Sequence, residues 1–251
     1  NIKGTYPTSG SVVIKDAIVK SAELKVSGYD INYKADLPTY TKYSNGTAVY
    51  YNPETNTKCS SSDAVSETGV KSGCMKWYTF NDNESSSTVN MILDHNTTAL
   101  VAYNSTGDNS EMKEVKVALE SDTVSWNKSI NPRLITADEV AMITGNTNFN
   151  AATSRGIEWF YFDSNNYTQI AESQGTSKYA WLFDHTNDCL SYGCNIIDMS
   201  TNCYWTSTIV ADSSSDIWSI TSHGGLGHDV ASRSDDTGIR PVITVQKIVI
   251  E

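Results

Sequence analysis

The chain has 251 residues, of which 39% are hydrophobic, and its formal net charge at pH 7 is −11. This length is enough to bury a sizeable core, and it suits one large domain or one domain with a small appendage. Because so acidic a surface repels phosphate backbones and anionic lipid, we expect no nucleic-acid partner and no direct contact with a membrane.

The first part of the chain, residues 11–33, alternates apolar and polar residues. Leu24 and Val26, for example, show the period of two that is typical of β-strands. The pattern predicts a three-stranded β-meander, which needs a partner surface because three short strands bury little apolar area. A proline-bearing stretch follows, so we predict two domains, residues 1–38 and residues 39–251.

The predicted second domain begins and ends with strands. Residues 74–80 and 89–103 have the apolar content of strands in one sheet, and Asn45-Gly46 predicts a turn before them. From residue 179 to the end, the chain again has the pattern of strands and turns. Together with two predicted helices, these segments indicate an α+β fold with mixed or antiparallel sheets.

The two helices are predicted between these groups of strands. The first lies within residues 110–126, with Ser110 as its N-cap and apolar residues at helical spacing. The second, "TADEVAMITG", has Thr136 as its N-cap, Glu139 as the capping-box partner and Gly145 as its stop signal. We interpret both helices as scaffold.

Five cysteines indicate disulfide bonds. Cys59 with Cys74, and Cys189 with Cys194, would each close a short loop rich in Ser and Gly, which is typical of an exported protein. A metal site is the rival interpretation, but no CxxC or HxxxH spacing supports it, so we expect no metal and no cofactor. Cys203 is assigned to neither pair, and the connectivity stays open because four of five cysteines can pair in several ways.

Two Asp-His pairs, Asp94-His95 and Asp184-His185, each follow an apolar segment predicted as a strand. An aspartate can orient a catalytic imidazole, but adjacent residues on a strand point to opposite faces. Hydrogen bonding at the ends of strands is therefore the favoured interpretation, and catalysis is the alternative.

The segment from Tyr204 to Val245 has an unusual composition. It contains no Lys, Glu, Gln, Met or Asn, whereas the preceding 203 residues contain 51 of them, 21 of which are Asn. About ten would be expected in these 42 residues by proportion. A turn-rich β segment would also favour Ser, Asp and Gly, but turns favour Asn as well, and Asn is frequent elsewhere in the chain.

Two stretches resemble C-type-lectin-like proteins of the formylglycine-generating type. The helix "RLITADEVAMITG" (133–145) resembles their "RLPTEAEWE" helix, and "YWTST…WSI…GIRPVITV" (204–245) resembles their closing segment. The stretches "NPETNTKC", "SGCMKWY", "ILDHNTTA", "WLFDHT" and "YGC" are similar to those of lectin-fold proteins exported by gut Firmicutes. The resemblance implies a C-type-lectin-like, ligand-binding domain over residues 39–251.

The N-terminal part resembles another family. Residues 1–33 are similar to the β-region of type IV pilin-like proteins, in which this pattern follows a long hydrophobic helix. We therefore expect an anchoring segment before Asn1 in the native protein. The resemblance implies a bacterial minor pilin or a pilus-associated protein of the cell surface.

Lectin-fold proteins of this kind include the targets of diversity-generating retroelements, which rewrite adenines in a C-terminal template. A randomised Asn codon of the AAC or AAT type cannot encode Lys, Glu, Gln or Met, which are four of the five residue types absent here. Trp codons lack adenine, so Trp205 and Trp218 would be left unchanged. The resemblance therefore implies a variable binding surface within residues 206–237, although a merely turn-rich segment remains the alternative.

The candidate contact residues are the small, polar and changeable residues of this segment. They are Ile209, Asp212, Ser214, Asp216, Ser219, Thr221, His223, Leu226, His228, Asp229, Arg233 and Asp235. Strand alternation predicts that Ser219, Thr221 and His223 share an outward face.

Framework residues must hold the backbone while the contacts vary. Trp205 and Trp218 offer large apolar bodies and are interpreted as core, with stacking of a carbohydrate on an exposed Trp as the alternative. Arg240, before Pro241, is predicted to form a fixed ion pair or to clamp carbonyl groups.

The sequence thus predicts a non-catalytic, extracellular binding protein, an adhesin or receptor-binding protein. Its expected partners are a protein or glycan on a host or neighbouring cell, and pilus subunits. A formylglycine-generating-type oxidoreductase is one rival function. That copper-dependent chemistry uses a close pair of reactive cysteines, whereas only Cys203 lies outside the two predicted disulfides. A structural pilin subunit is the other rival function. Calcium-dependent sugar binding is not supported, because the sequence lacks the runs of calcium-ligating residues that such lectins use.

Overall fold

The computed structural model describes residues 39–67, 69–98, 100–163, 177–186, 203–222 and 224–251. The chain divides after Pro38 into two units, and all described residues belong to the second, Thr39–Glu251. The β-meander predicted for residues 11–33 and the pair Cys189/Cys194 lie outside the described residues. The described part has an α+β fold with mostly antiparallel sheets and few helices.

The first sheet has five antiparallel strands. In spatial order they are β10 (Val242–Gln246), β4 (Thr88–Leu93), β3 (Met75–Phe80), β1 (Thr47–Asn52) and β2 (Thr57–Lys58). Successive side chains of β4 alternate between two apolar clusters, with Met91 and Leu93 in one and Ile92 in the other. The strand predicted over residues 89–103 therefore exists, but it ends at Leu93 and a loop follows.

The second sheet also has five strands. In spatial order they are β5 (Phe160–Tyr161), β8 (Gly225–Val230), β7 (Asp216–Thr221), β6 (Cys203–Ile209) and β9 (Thr237–Gly238). All neighbouring pairs are antiparallel except β6 and β9, which are parallel. The central strand β7 is covered on both faces, because Trp218 and Ile220 belong to one apolar cluster and Ile217 belongs to another.

Three α-helices are described. They are α1 (Glu114–Asp122), α2 (Ala137–Thr144) and the single turn α3 (Ala180–Phe183). In α2 the predicted capping box of Thr136 and Glu139 is present, and Gly145 ends the helix at a φ of 73°. The cluster that fills the space between the two sheets includes Val140 of α2 and Leu182 of α3.

Two helix predictions are corrected. The first helix begins at Glu114 rather than after Ser110, because the N–H of Lys113, which a Ser110 cap would bind, donates instead to the carbonyl of Tyr103 at 3.1 Å. Residues 179–184, predicted as a strand, form α3 instead, and the N–H of Asp184 donates to the carbonyl of Ala180 at 2.7 Å.

The predicted disulfide between Cys59 and Cys74 is present, with an S–S distance of 1.99 Å. It joins the residue after β2 to the residue before β3. Disulfides are typical of proteins from oxidising compartments. No helix among the described residues is both long and apolar enough to cross a membrane.

Candidate functional site

The framework residues of the predicted binding segment are buried. Trp205 and Trp218 are fully buried on β6 and β7, and Arg240 has no exposed surface. The indole N–H of Trp205 donates to the carbonyl of Val101 at 2.7 Å, whereas Trp218 Nε1 has no hydrogen-bond partner among the described residues. The backbone of the segment is therefore anchored by side chains that no ligand can reach.

The neighbouring strands β6, β7 and β8 run in alternate directions, so the end of β6, the start of β7 and the end of β8 meet. We call this region, residues 209–216 and 228–230, the turn end. Five predicted contact residues are exposed: Ile209, Asp212, Ser214, His228 and Asp235. Four are half-buried: Asp216, Thr221, Asp229 and Arg233. Thr221 lies at the opposite end of the sheet, and His223 lies outside the described residues.

The structure contradicts the exposure predicted for two residues. Ser219 is only 3% exposed, and Leu226 is fully buried. Ser219 pairs with Trp205 across the sheet, on the face that a second apolar cluster covers. Leu226 lies in the cluster between the two sheets. Strand alternation predicted two different faces for β7 correctly, but it could not show that both are buried.

The backbone of the turn between β6 and β7 is held by residues outside the predicted segment. The side-chain amide of the buried Asn109 donates to the carbonyls of Ser213 at 2.8 Å and Asp216 at 3.1 Å. The N–H of Ala211 donates to the carbonyl of Ser154 at 3.2 Å. Exposed side chains can therefore change here without loss of the bonds that shape the turn.

The half-buried Asp216 also has a structural role. Its carboxylate accepts a hydrogen bond from the hydroxyl of Ser213 at 2.9 Å. The backbone N–H of Asp216 in turn donates to the hydroxyl oxygen of Ser213 at 2.9 Å. These bonds close the turn locally. Asp216, a predicted ligand contact, therefore also stabilises the backbone of the turn.

Sequence reasoning missed a second loop that contributes to the turn end. Arg155 forms an exposed ion pair with Asp212, and a Cβ on Gly156 would lie 2.5 Å from His228 Nε2. Ile157 and Trp159 follow and are exposed. The run of aromatic residues in "GIEWFYF" was the available signal, but nothing in the spacing connected it to residues 206–237.

Arg233 organises the acidic groups beside the turn end. Its guanidinium contacts the carboxylates of Asp229 at 2.8 Å, Asp235 at 3.1 Å and Asp236 at 2.6 Å. Burial raises the pKa of both Asp229 and Asp236, although the charge of Arg233 opposes it. The cluster is thus a half-buried network with an excess of carboxylates around one cation.

The two Asp-His pairs, separate in the sequence, meet in the structure. Asp94 is fully buried, and its carboxylate lies 2.9 Å from His185 Nδ1, 3.4 Å from Lys76 Nζ and 3.9 Å from His95 Nδ1. Burial raises the pKa of Asp94, but the hydrogen bond and charge of His185 outweigh it and hold this pKa well below its usual range. Asp94 therefore remains ionised beside Lys76 of β3 and His185 of the segment that follows α3.

The pKa values of the other groups of this cluster are shifted in different directions. Burial lowers the pKa of His95 to about 4 and raises that of Asp184 to about 6. The hydrogen bond to Asp94 raises the pKa of His185, whose backbone φ is +56°. His95 is therefore neutral near pH 7 and bonds through Nε2 to the carbonyl of Val70 at 3.0 Å.

Comparison with known proteins found no protein-family model, no curated protein and no solved structure that matches this chain. Within the described ranges, no group of three or more His, Cys, Asp or Glu side chains is arranged to hold a metal ion. The functional interpretation therefore depends on the geometry of the chain itself.

Asp184→Asn tests the cost of burying the Asp184 carboxylate. Because the folded-state pKa is about 6 and the ordinary pKa is lower, ionisation destabilises the fold progressively above about pH 4 and fully above about pH 6. We expect the substitution to raise the free energy of unfolding at about pH 7.5 by about 1–3 kcal/mol, with little effect at about pH 4, in urea denaturation.

Asp82→Asn is the control, and it should change the free energy of unfolding in the opposite direction. The Asp82 carboxylate lies 2.9 Å from the buried Lys247 ammonium, so its loss leaves a buried cation without its counter-ion and should destabilise the fold at about pH 7.5. Equal destabilisation by Asp184→Asn would contradict the assignment of an unfavourable buried charge to Asp184.

Asn109→Ala tests whether the turn is held from outside the segment. We expect a loss of about 1–3 kcal/mol in the free energy of unfolding, because two carbonyls lose their donor. The exposed Ser214→Ala should change it by less than about 0.5 kcal/mol. Similar losses in both variants, measured by denaturation, would show that the turn depends on its own side chains.

Proposed function

We propose that the chain is a non-catalytic binding protein displayed on a bacterial surface, and that its ligand contacts lie at the turn end of the second sheet. The observation that carries this proposal is the division of residues 206–237 into two groups. Trp218 and its apolar neighbours are buried and hold the strands, whereas Asp212 and Ser214 are exposed on a turn whose backbone is bonded to Asn109. Such a division is what an exchangeable binding surface on a fixed scaffold requires.

The proposal includes a C-type-lectin-like fold for residues 39–251. The antiparallel sheets, the capped helix α2 and the return of the last strand to the first sheet support it. The Cys59–Cys74 disulfide supports an extracellular location. Attachment through a pilin-like N-terminal region would make the protein a minor pilin or adhesin.

An oxidoreductase of the formylglycine-generating type is the weaker alternative. That copper-dependent chemistry uses a close pair of reactive thiols, whereas burial raises the pKa of Cys203 to about 12. A thiol with so high a pKa holds its proton at neutral pH and is a poor nucleophile and metal ligand. This observation favours binding over oxidation.

A structural pilin subunit with a decorative head is the remaining alternative. The exposed aromatic and acidic groups around the turn end favour a binding role, because a purely structural head needs no such surface. A binding subunit should be rare and terminal on fibres, whereas a structural subunit should predominate along them.

Three exposed positions at the turn end provide the functional test. We expect the triple variant Ile209→Ala, Asp212→Gly and Ser214→Ala to keep the melting temperature and to lose about tenfold or more in affinity for cultured epithelial cells, measured with labelled protein by flow cytometry. The control combines Val124→Ala, Met142→Ala and Ile248→Ala, which are exposed elsewhere. Unchanged cell binding by the turn variant, or equal loss by the control, would refute the proposal.

Programmed variation of the segment makes a separate prediction at the level of the gene. We expect a near-identical repeat of the coding sequence for residues 204–245, carrying Asn codons at exposed positions such as 212 and 214, beside a reverse-transcriptase gene. Sequencing the surrounding genome checks it. A locus without such a repeat would leave a turn-rich segment as the explanation of the composition.

A further inference from the structure

Trp159 differs from the other tryptophans of this protein. It is 49% exposed, whereas the other five are at most 9% exposed: Trp77, Trp126, Trp181, Trp205 and Trp218. A ligand that covered this ring would remove a large apolar area from water, which makes Trp159 a candidate contact beside the proposed binding surface.

The strand register places Trp159 next to β8. Phe160 pairs with Leu226 and Tyr161 pairs with Gly225, so extending the register by one residue sets Trp159 opposite Gly227. Trp159 and Tyr161 point to the same face, and their rings meet edge to face with centroids 5.1 Å apart. We call these two residues the aromatic corner.

On this face, β8 presents two glycines beside the aromatic corner. A Cβ on Gly225 would lie 3.0 Å from the Tyr161 ring, and a Cβ on Gly227 would lie 2.9 Å from the methyl group of Thr221. No β8 side chain therefore stands between Trp159 and the next residue of that face, Asp229. Half of the Trp159 side chain is exposed on this edge of the sheet.

Those polar groups are Asp229 and Arg233. The Asp229 carboxylate and the Arg233 guanidinium are 2.8 Å apart, and both side chains remain partly exposed. A carboxylate accepts hydrogen bonds, and a guanidinium donates up to five in a fixed plane. By strand register, Asp229 is the next residue on this face of β8 after Gly227, which lies opposite Trp159, and Arg233 is joined to it through the ion pair with Asp229.

This combination matches the chemistry of a sugar. A pyranose ring has an apolar face of C–H groups that stacks on an indole, and a rim of hydroxyl groups that both donate and accept hydrogen bonds. We propose that the ligand of this protein is a glycan, with one pyranose stacked on Trp159 and its hydroxyl groups bonded to Asp229 and Arg233. The inference rests on the proposed binding function and names its ligand class.

The test is binding of the labelled full chain to a printed array of neutral and acidic glycans. We expect the wild type to bind a defined subset, Trp159→Ala to weaken binding by about tenfold to a hundredfold, and Trp159→Phe to retain more of the affinity than Trp159→Ala. The matched control is Ile248→Ala, which removes an apolar side chain that is 80% exposed after β10, away from the turn end, and should bind as the wild type does. Melting temperatures of all variants should agree, since Trp159 is not part of the core.

Tryptophan fluorescence provides a second measurement, because a purely structural role for Trp159 would not make its quenching depend on glycan. Acrylamide in solution should quench mainly Trp159, because the other five indoles are buried. A soluble form of the bound glycan should protect this fluorescence in the wild type, and Trp159→Phe should lack both the quenching and the protection. Quenching that the bound glycan leaves unchanged would overturn the inference.

The outcomes separate this inference from the proposed function. If the wild type binds no glycan on the array, or if Trp159→Ala binds as the wild type does, the glycan inference is overturned. Binding to cells that depends on the turn end would then still support a binding protein with a protein ligand. If the turn variant also keeps its cell binding, the proposed function fails as well.

Discussion

The buried guanidinium of Arg240 is the interaction on which the arrangement of the two sheets depends. Its Nε donates to Asn96 Oδ1 at 3.1 Å, its terminal nitrogens donate to the carbonyls of Leu182 and Asp184, and it lies 4.6 Å from the centre of the Tyr204 ring. A buried cation is costly unless its hydrogen bonds are made. The loop after β4, the end of α3 and the strand β6 must therefore keep their positions around this one side chain.

A second buried cation follows on the other side of the last strand. The Lys247 ammonium contacts the Asp82 carboxylate at 2.9 Å and donates to the carbonyls of Thr41 and Asn83. Arg240 and Lys247 thus flank β10: Arg240 joins the end of the chain to the loop after β4, α3 and β6, and Lys247 joins it to the loop after β3 and to Thr41. Because these anchors are buried and lie outside residues 206–237, exchange of exposed side chains in that segment leaves them intact.

The proposed binding surface is assembled from parts that are far apart in the chain. Asn109 shapes the turn between β6 and β7, Gly156 leaves room for His228, and Trp159 provides the exposed ring beside β8. In the glycan proposal, the aromatic corner supplies stacking area while Asp229 and Arg233 supply hydrogen bonds. Affinity and selectivity would then come from different elements, one outside residues 206–237 and one within them.

The sequence by itself determined the capping box of α2, because residues three apart decide it, and it indicated the pair Cys59 and Cys74 while leaving the connectivity open. It also indicated which large residues of the closing segment belong to the core. Only the tertiary structure decided that Ser219 is buried, that Asp94 meets His185, and that Trp159 lies beside β8. Alternation along a strand separates two faces, but what covers each face depends on elements that arrive from elsewhere in the chain.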